Sequence, residues 1–195
     1  MTEMKIRGIS KSFDGKKVLS NVNASFPAGS VTCLLGPSGY GKTTLLRIIA
    51  GLEKPDAGSV EGVPEQIGFV FQEDRLCEDF SAVSNVRLVT GKNMPKEEIV
   101  RHLTEIGLGD SLDKPVREYS GGMKRRVAIV RAVCYPAELL ILDEPFKGLD
   151  EKLRLEVIGY IRKYAKGKTV LCVTHEPEDA ERLGGKNIEM EQISG

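Results

Sequence analysis

The sequence has no surplus of charge of either sign: Lys plus Arg is 28, Asp plus Glu is 28, and the net charge is zero. That balance gives no support to a nucleic-acid partner or a polybasic membrane anchor, both of which need clustered positive charge. No stretch approaches the roughly 20 consecutive apolar residues of a spanning helix. The opening Met-Thr-Glu-Met-Lys-Ile-Arg lacks the apolar core of a secretory signal. The four cysteines, Cys33, Cys77, Cys134 and Cys172, stand singly, with no C-x-x-C pair and no nearby histidine. This spacing argues against a zinc site or a disulfide framework and for reduced thiols in a cytosolic protein. Internal repeats, low-complexity tracts and long linkers are also missing. What remains, 41% hydrophobic and 29% charged over 195 residues, is the composition of one soluble globular unit. A chain of this length buries roughly 70% of its unfolded surface, enough for a core without disulfides.

The patterning divides the chain into zones. Met4–Ile9 and Val18–Phe26 read as strands around a turn at Asp14-Gly15, with Pro27-Ala28-Gly29 as a second turn and an antiparallel sheet as the result. Val31–Leu35 is a short buried strand, followed by a glycine-rich turn and a helix over Thr43–Ala50 that Gly51 ends. Ile67–Phe71 is another apolar strand, after which the periodicity is helical for about forty residues. Within that stretch Pro95 and Gly107 punctuate a helix over Lys96–Ile106, and Gly121–Val133 is a further helix stopped before Pro136. Strands Leu139–Leu142 and Thr169–Val173 flank a helix over Glu151–Tyr164, the βαβ rhythm of a parallel sheet.

The chemistry concentrates in Gly36-Pro37-Ser38-Gly39-Tyr40-Gly41-Lys42-Thr43-Thr44, which matches G-x-x-x-x-G-K-[ST] between a strand and a helix. Glycines let successive backbone N–H groups converge on one anion, and the following helix adds its positive end. Lys42 is placed to neutralise terminal phosphates. Thr43 offers its hydroxyl to Mg²⁺, a hard ion that prefers oxygen. The plainer alternative, a glycine turn with a surface lysine, does not account for the strand and helix on either side.

Downstream, Leu139-Leu140-Ile141-Leu142-Asp143-Glu144 puts two acids at the carboxyl edge of a buried strand, where ligands of open α/β sheets gather. Asp143 can hold Mg²⁺ through water, and Glu144 can polarise a water that attacks a γ-phosphate. Alone, such a pair is also what a solvated strand end looks like.

Tyr119-Ser120-Gly121-Gly122-Met123, just before Asp143-Glu144, resembles the signature of the ATP-binding cassette (ABC) ATPases. The resemblance spans roughly residues 6–190 and implies further roles in family order. Phe13 is the aromatic that stacks on adenine, Gln72 the glutamine that reaches Mg²⁺ or the attacking water, Gly148-Leu149-Asp150 the D-loop, and His175 the switch histidine. It also implies an α/β fold with a mixed core sheet, an N-terminal antiparallel β subdomain and an inserted helical subdomain. The single nucleotide-binding domain then divides into a core at about residues 1–72 and 136–195 and helices at about 73–135. In this family two subunits pair head to tail, and the signature of one caps the ATP on the phosphate loop of the other. Ser120, Gly121 and Gly122 open a helix and form an anion site suited to that task. Asp150 has two readings, a contact across the dimer and an N-cap for the helix over Glu151–Tyr164. A lone histidine is commonly structural; the resemblance is what lifts His175 above that reading.

Two signature positions depart from the commonest pattern, Tyr119 for Leu and Met123 for Gln, and Met123 cannot supply an amide's hydrogen bonds. Met123 with Lys124-Arg125-Arg126-Val127-Ala128, and the run Phe71–Leu76, resemble the importer ATPases for nitrate, sulfonate and taurine. The resemblance implies an ATP- and Mg²⁺-dependent ATPase that forms a homodimer or pairs with another ABC subunit. It also implies separate transmembrane permease subunits, a solute-binding protein, a small polar or anionic solute, and a cytoplasmic place on the inner face of the cell membrane. His175 stands twenty residues before Gly195, so neither a C-terminal regulatory domain nor a fused membrane domain is expected. An exporter or lipoprotein-release ATPase, and an ABC ATPase of DNA repair, translation or iron–sulfur assembly, remain as alternatives. Zero net charge and the lack of a long coiled-coil insertion between Gln72 and Ser120 weigh against the soluble machinery.

Overall fold

In the computed structural model, which describes residues 3–193, strands β1 (Met4–Phe13) and β2 (Lys16–Phe26) form an antiparallel hairpin. At its tip Phe13 pairs with Lys16, and Asp14 and Gly15 have φ of 50° and 77°. Positive φ at both central residues is what a two-residue turn needs to match strand twist. Both strands outrun the expected Met4–Ile9 and Val18–Phe26. Pairing carries the ladder through Lys11, Ser12 and Lys17, whose side chains give no apolar alternation.

β3 (Val31–Leu35) leads into α1 (Lys42–Ile49), which begins one residue before the expected start and ends at a cap on Ala50 with Gly51 at φ 70°. β4 (Ala57–Glu61) then returns to pair with β1. Its Ala-Gly-Ser-Val-Glu sequence has one strand-forming residue, so the ladder rather than propensity makes it a strand.

The rest of the chain alternates. β5 (Ile67–Val70) precedes α2 (Ala82–Thr90), α3 (Lys96–Glu105) and α4 (Gly121–Cys134). β6 (Leu139–Asp143), α5 (Glu151–Tyr164) and β7 (Thr169–Val173) follow. α6 (Pro177–Leu183), β8 (Lys186–Glu189) and the short α7 (Met190–Ile193) close the described residues. The mixed sheet character read from the sequence is divided between two sheets. β2-β1-β4 is antiparallel, whereas β5-β6-β7-β3-β8 is parallel at every pairing. Crossovers through helices force the parallel arrangement, and β4 has its partner in the hairpin instead.

β6 shows why a continuous apolar run was required. Leu139 and Ile141 pack with Leu45, Leu46 and the hairpin residues Ile6 and Val22, while Leu140 and Leu142 pack with Val127, Val130, Val157 and Ile161. A strand covered on both faces has no place for polar alternation. Because β3, β5, β6 and β7 run the same way, the loops after Leu35, Val70, Asp143 and Val173 emerge at one edge, where the candidate site lies.

α3 is joined to α5 by polar contacts, one buried and two exposed. His102, 4% exposed, has Nδ1 2.9 Å from the Tyr160 hydroxyl, and Glu105 takes bonds from Lys163 and Tyr164. Burial, helped by Arg101 and Lys163 and opposed by Glu98 and Glu105, holds the His102 imidazole below its ordinary pKa. The unfolded chain therefore takes up a proton that the folded chain refuses, and stability falls as pH drops through about 6.5. We expect the urea midpoint to fall between about pH 7.5 and 5.5, and His102→Gln to remove this part of the slope. An identical slope in the variant rules the group out.

Candidate functional site

Between Leu35 and Lys42 the chain wraps closely against the hairpin. Gly41 has φ 80°, and a Cβ there would lie 2.6 Å from Leu19 Cδ2 and 2.9 Å from the Val18 carbonyl oxygen, so position 41 admits only glycine. This contact fixes where α1 begins. The helix has no side-chain cap, which leaves its first N–H groups and positive end for an anion. Ser38, Gly39, Gly41, Lys42, Thr43 and Thr44, with Val18, Gln72 and Glu144, line a cleft of about 260 Å³.

Lys42 is buried, and its ammonium donates to the carbonyls of Gly36 at 2.6 Å and Pro37 at 2.8 Å. Burial lowers its pKa, while Glu144, Asp143 and Glu189 push the other way. Its charge is thus folded back onto the loop that would hold a phosphate. Tyr40 and Phe13 are both exposed. Phe13 stands at the hairpin tip with the Lys11 ammonium 5.1 Å from its ring centre, outside the residues lining the cleft; Val18 is the hairpin residue that lines it.

Asp143 ends β6, is 1% exposed, and accepts from the Thr43 hydroxyl at 3.1 Å. Burial raises its carboxyl, the Thr43 bond lowers it, and Glu144 raises it again. Thr43 and Gln72 line one cleft and Asp143 is bonded to Thr43; their oxygens are hard donors, a set that suits Mg²⁺ completed by water and phosphate oxygens. Among the described residues no three His, Cys, Asp or Glu side chains form a metal cluster by themselves, so phosphate oxygens would be needed in that shell.

Glu144 has a φ of 50°, and its N–H donates to the Val173 carbonyl at 3.0 Å. The carboxylate is held from two sides, with His175 Nε2 2.9 Å from Oε1 and Lys147 Nζ 3.3 Å from Oε2. Burial raises its pKa, and the His175 and Lys147 contacts outweigh it to give a net lowering. An ionised carboxylate beside the phosphate loop can accept a proton from water. Ser38, Gln72, Glu144 and His175 also line an adjoining cleft of about 410 Å³, whose other walls include Lys147, Gly148, Leu149 and Arg154. Asp150 caps α5, accepting from Leu153 N–H at 2.9 Å.

Ser120, Gly121 and Gly122 line neither cleft. Ser120 caps α4 by accepting from Met123 N–H at 3.3 Å, and it is exposed with Gly121. The two departures in this motif have a packing reason. Tyr119 is buried and donates its hydroxyl to the Ser111 carbonyl, and Met123 packs against the helical core.

The sequence reading missed several contacts. Lys147 on Glu144 was visible only as a lysine three residues on. Arg154 lies 3.6 Å from Asp179, which accepts from the hydroxyl of Thr174, the residue before His175. Arg125 and Arg131 of α4 grip the loop after β5. The arginine contacts join segments that no local pattern relates.

The family model for ABC transporters matches residues 19–147. The chain is 37% identical to an aliphatic sulfonates import ATP-binding protein of Pseudomonas syringae pv. tomato over 96% of its own length and 82% of that protein's. It is 33% identical to a spermidine/putrescine import ATP-binding protein of Mesoplasma florum over 98% of this chain and 59% of that one. Among solved structures, a dimeric ATP-binding cassette in a post-hydrolysis state with ADP and phosphate superposes with a TM-score of 0.83 at 28% identity, covering 95% of this chain and 93% of that one. With the phosphate loop, its acidic strand end and the signature helix in place on this fold, the chain belongs to the ABC transporter family as an ATP-binding cassette ATPase.

Proposed function

We propose that the chain is one of a pair of cassettes whose ATP hydrolysis drives import of a small polar or anionic solute through separate transmembrane permease subunits. Two copies, or this chain and a paired ABC subunit, close head to tail around two Mg-ATP. The carrying observation is that two helix starts lie apart: that of α1 on the phosphate-loop cleft, and the exposed α4 start at Ser120-Gly121-Gly122, which lines neither cleft. A second copy supplies the phosphate that the signature end lacks.

In this reading Lys42 exchanges the Gly36 and Pro37 carbonyls for phosphate oxygens. Thr43, Gln72 and Asp143 hold Mg²⁺, which when bound would neutralise phosphate charge. Glu144 accepts a proton from the attacking water, and His175 orients that carboxylate and reaches the γ-phosphate. Phe13 stacks on adenine, a contact indifferent to base identity, and Asp150 reaches the partner while capping α5. Residues 73–135 act as the helical subdomain that passes closure to the permease at the inner face of the membrane. A solute-binding protein delivers the solute, and nucleic acid has no part.

Among the described residues no helix is long and apolar enough to cross a membrane, which accords with a pore on other chains. The relatives named for sulfonates and for spermidine and putrescine carry solutes of opposite charge, in keeping with a solute chosen elsewhere. The test has two arms. In a Glu144→Gln background, Ser120→Arg should abolish the ATP-driven dimer in gel filtration while monomer affinity for ATP stays within about twofold; a normal dimer counts against the head-to-tail arrangement. Pull-down of Glu144→Gln from its own solubilised membranes with Mg-ATP should recover a multi-span protein. Soluble partners alone, where other membrane complexes survive, would redirect the function to soluble machinery.

A further inference from the structure

Gln72 follows β5, yet the strand does little to fix it. The main chain from Phe71 to Arg75 is held by α4, more than fifty residues away in sequence. Arg125 is 7% exposed, donating from one terminal nitrogen to the Phe71 carbonyl at 2.7 Å and from the other to the Gln72 carbonyl. Its Nε lies 3.2 Å from Asp74 Oδ1, an ion pair whose angle makes no hydrogen bond. Two turns on, Arg131 donates to the Arg75 carbonyl at 2.7 Å and the Asp74 carbonyl at 3.1 Å. Arg75, at φ 46°, lays its guanidinium 3.9 Å from the centre of the Phe71 ring. The Gln72 side chain makes no hydrogen bond of its own among the described residues, and it lines both clefts of the site.

A planar guanidinium can bridge two successive carbonyls and a carboxylate at once; an ammonium cannot. The Phe71 and Gln72 carbonyls it grips are part-buried, so water replaces its charge-assisted bonds only incompletely if it leaves. The same helix begins at Ser120-Gly121-Gly122. One rigid element thus carries the exposed anion site at its first turn and the anchor of Gln72 little more than a turn later.

We propose that Arg125 is a positioning residue that makes Gln72 travel with α4, so that an anion taken at the signature end sets where Gln72 stands in the same chain's phosphate-loop cleft. This rests on the roles proposed above for Gln72 and the signature. It adds that, in a head-to-tail pair, each chain links the nucleotide capped by its signature to the nucleotide on its own loop. Such a link is a coupling free energy between two sites, and it acts in both directions.

The test compares Arg125→Lys, Arg125→Gln, Gln72→Ala and the two corresponding double variants. Circular dichroism establishes that each is folded. In the Arg125 variants monomer affinity for ATP should stay within about twofold, because Arg125 lines neither cleft and does not touch the phosphate loop; kcat should fall about tenfold, and the Hill coefficient for ATP should drop toward one. Hydrogen exchange should quicken over residues 71–76 and stay unchanged in α1. The deciding result is non-additivity: with Gln72 already Ala, replacing Arg125 should cost no further turnover. An Arg125 effect of the same size in both backgrounds would make the residue purely structural and overturn the inference. Wild-type kcat and Hill coefficient in both Arg125 variants would also overturn it. Wild-type turnover in Gln72→Ala would instead remove the role of Gln72 itself, and the inference with it.

Discussion

Glu144→Gln is expected to lower steady-state ATP turnover by about 10²- to 10⁴-fold, the range for loss of a positioned general base, while ATP binding is kept. The substitution preserves shape and leaves an amide oxygen 2.9 Å from His175 in the position of Oε1. It removes the charge that can accept a proton from water. Lys147, 3.3 Å away, loses an anion, but its own side chain is 61% exposed and water takes over, so the loss should cost little stability. Because binding and closure precede the chemical step, the variant should accumulate as an ATP-bound dimer. Phosphate release, calorimetry and gel filtration with ATP measure the three parts separately. Ordinary hydrolysis in the variant would remove Glu144 from the water-polarising role.

Lys42→Ala should act one step earlier. Its ammonium is the cation of the phosphate loop, held between the Gly36 and Pro37 carbonyls. A charge-assisted hydrogen bond contributes about 1.5–3 kcal/mol, so one such bond lost corresponds to about a 10- to 150-fold rise in the Kd for ATP. Calorimetry reads this directly. In thermal unfolding the rise in midpoint caused by ATP should shrink in step, since a ligand stabilises by its occupancy of the folded state. An unchanged Kd would contradict the phosphate-loop assignment.

Contiguous residues made the phosphate loop and the acidic end of β6 legible, because the loop needs glycines and a lysine at fixed spacing and the strand needs apolar residues on both faces. Gly107 and Asp14-Gly15 were legible for the same local reason, since each stands at a positive φ that a turn or helix end demands. β4 was not, because its strand character comes from β1. Neither were α6 and β8, short elements whose place is set by packing on the parallel sheet. The forty-residue helical zone resolves into α2 and α3 after a non-helical stretch at 71–81, and that stretch is shaped by arginines of α4. Phe13 could be read as an aromatic for adenine, but not that Val18 is the hairpin residue lining the phosphate-loop cleft. Met123 looked like a loss of polar function; in the fold it packs with Tyr119 on the helical core.

The backbone at Glu144 sits in the left-handed region, φ 50°, where a residue other than glycine, asparagine or aspartate costs the fold about 1–3 kcal/mol. Stability alone would therefore draw this position toward asparagine or glycine. A glutamate there marks a site where evolution has favoured work over rest. Glu144→Gly and Glu144→Asn should therefore give a chain that turns over little ATP and is harder to unfold than the original.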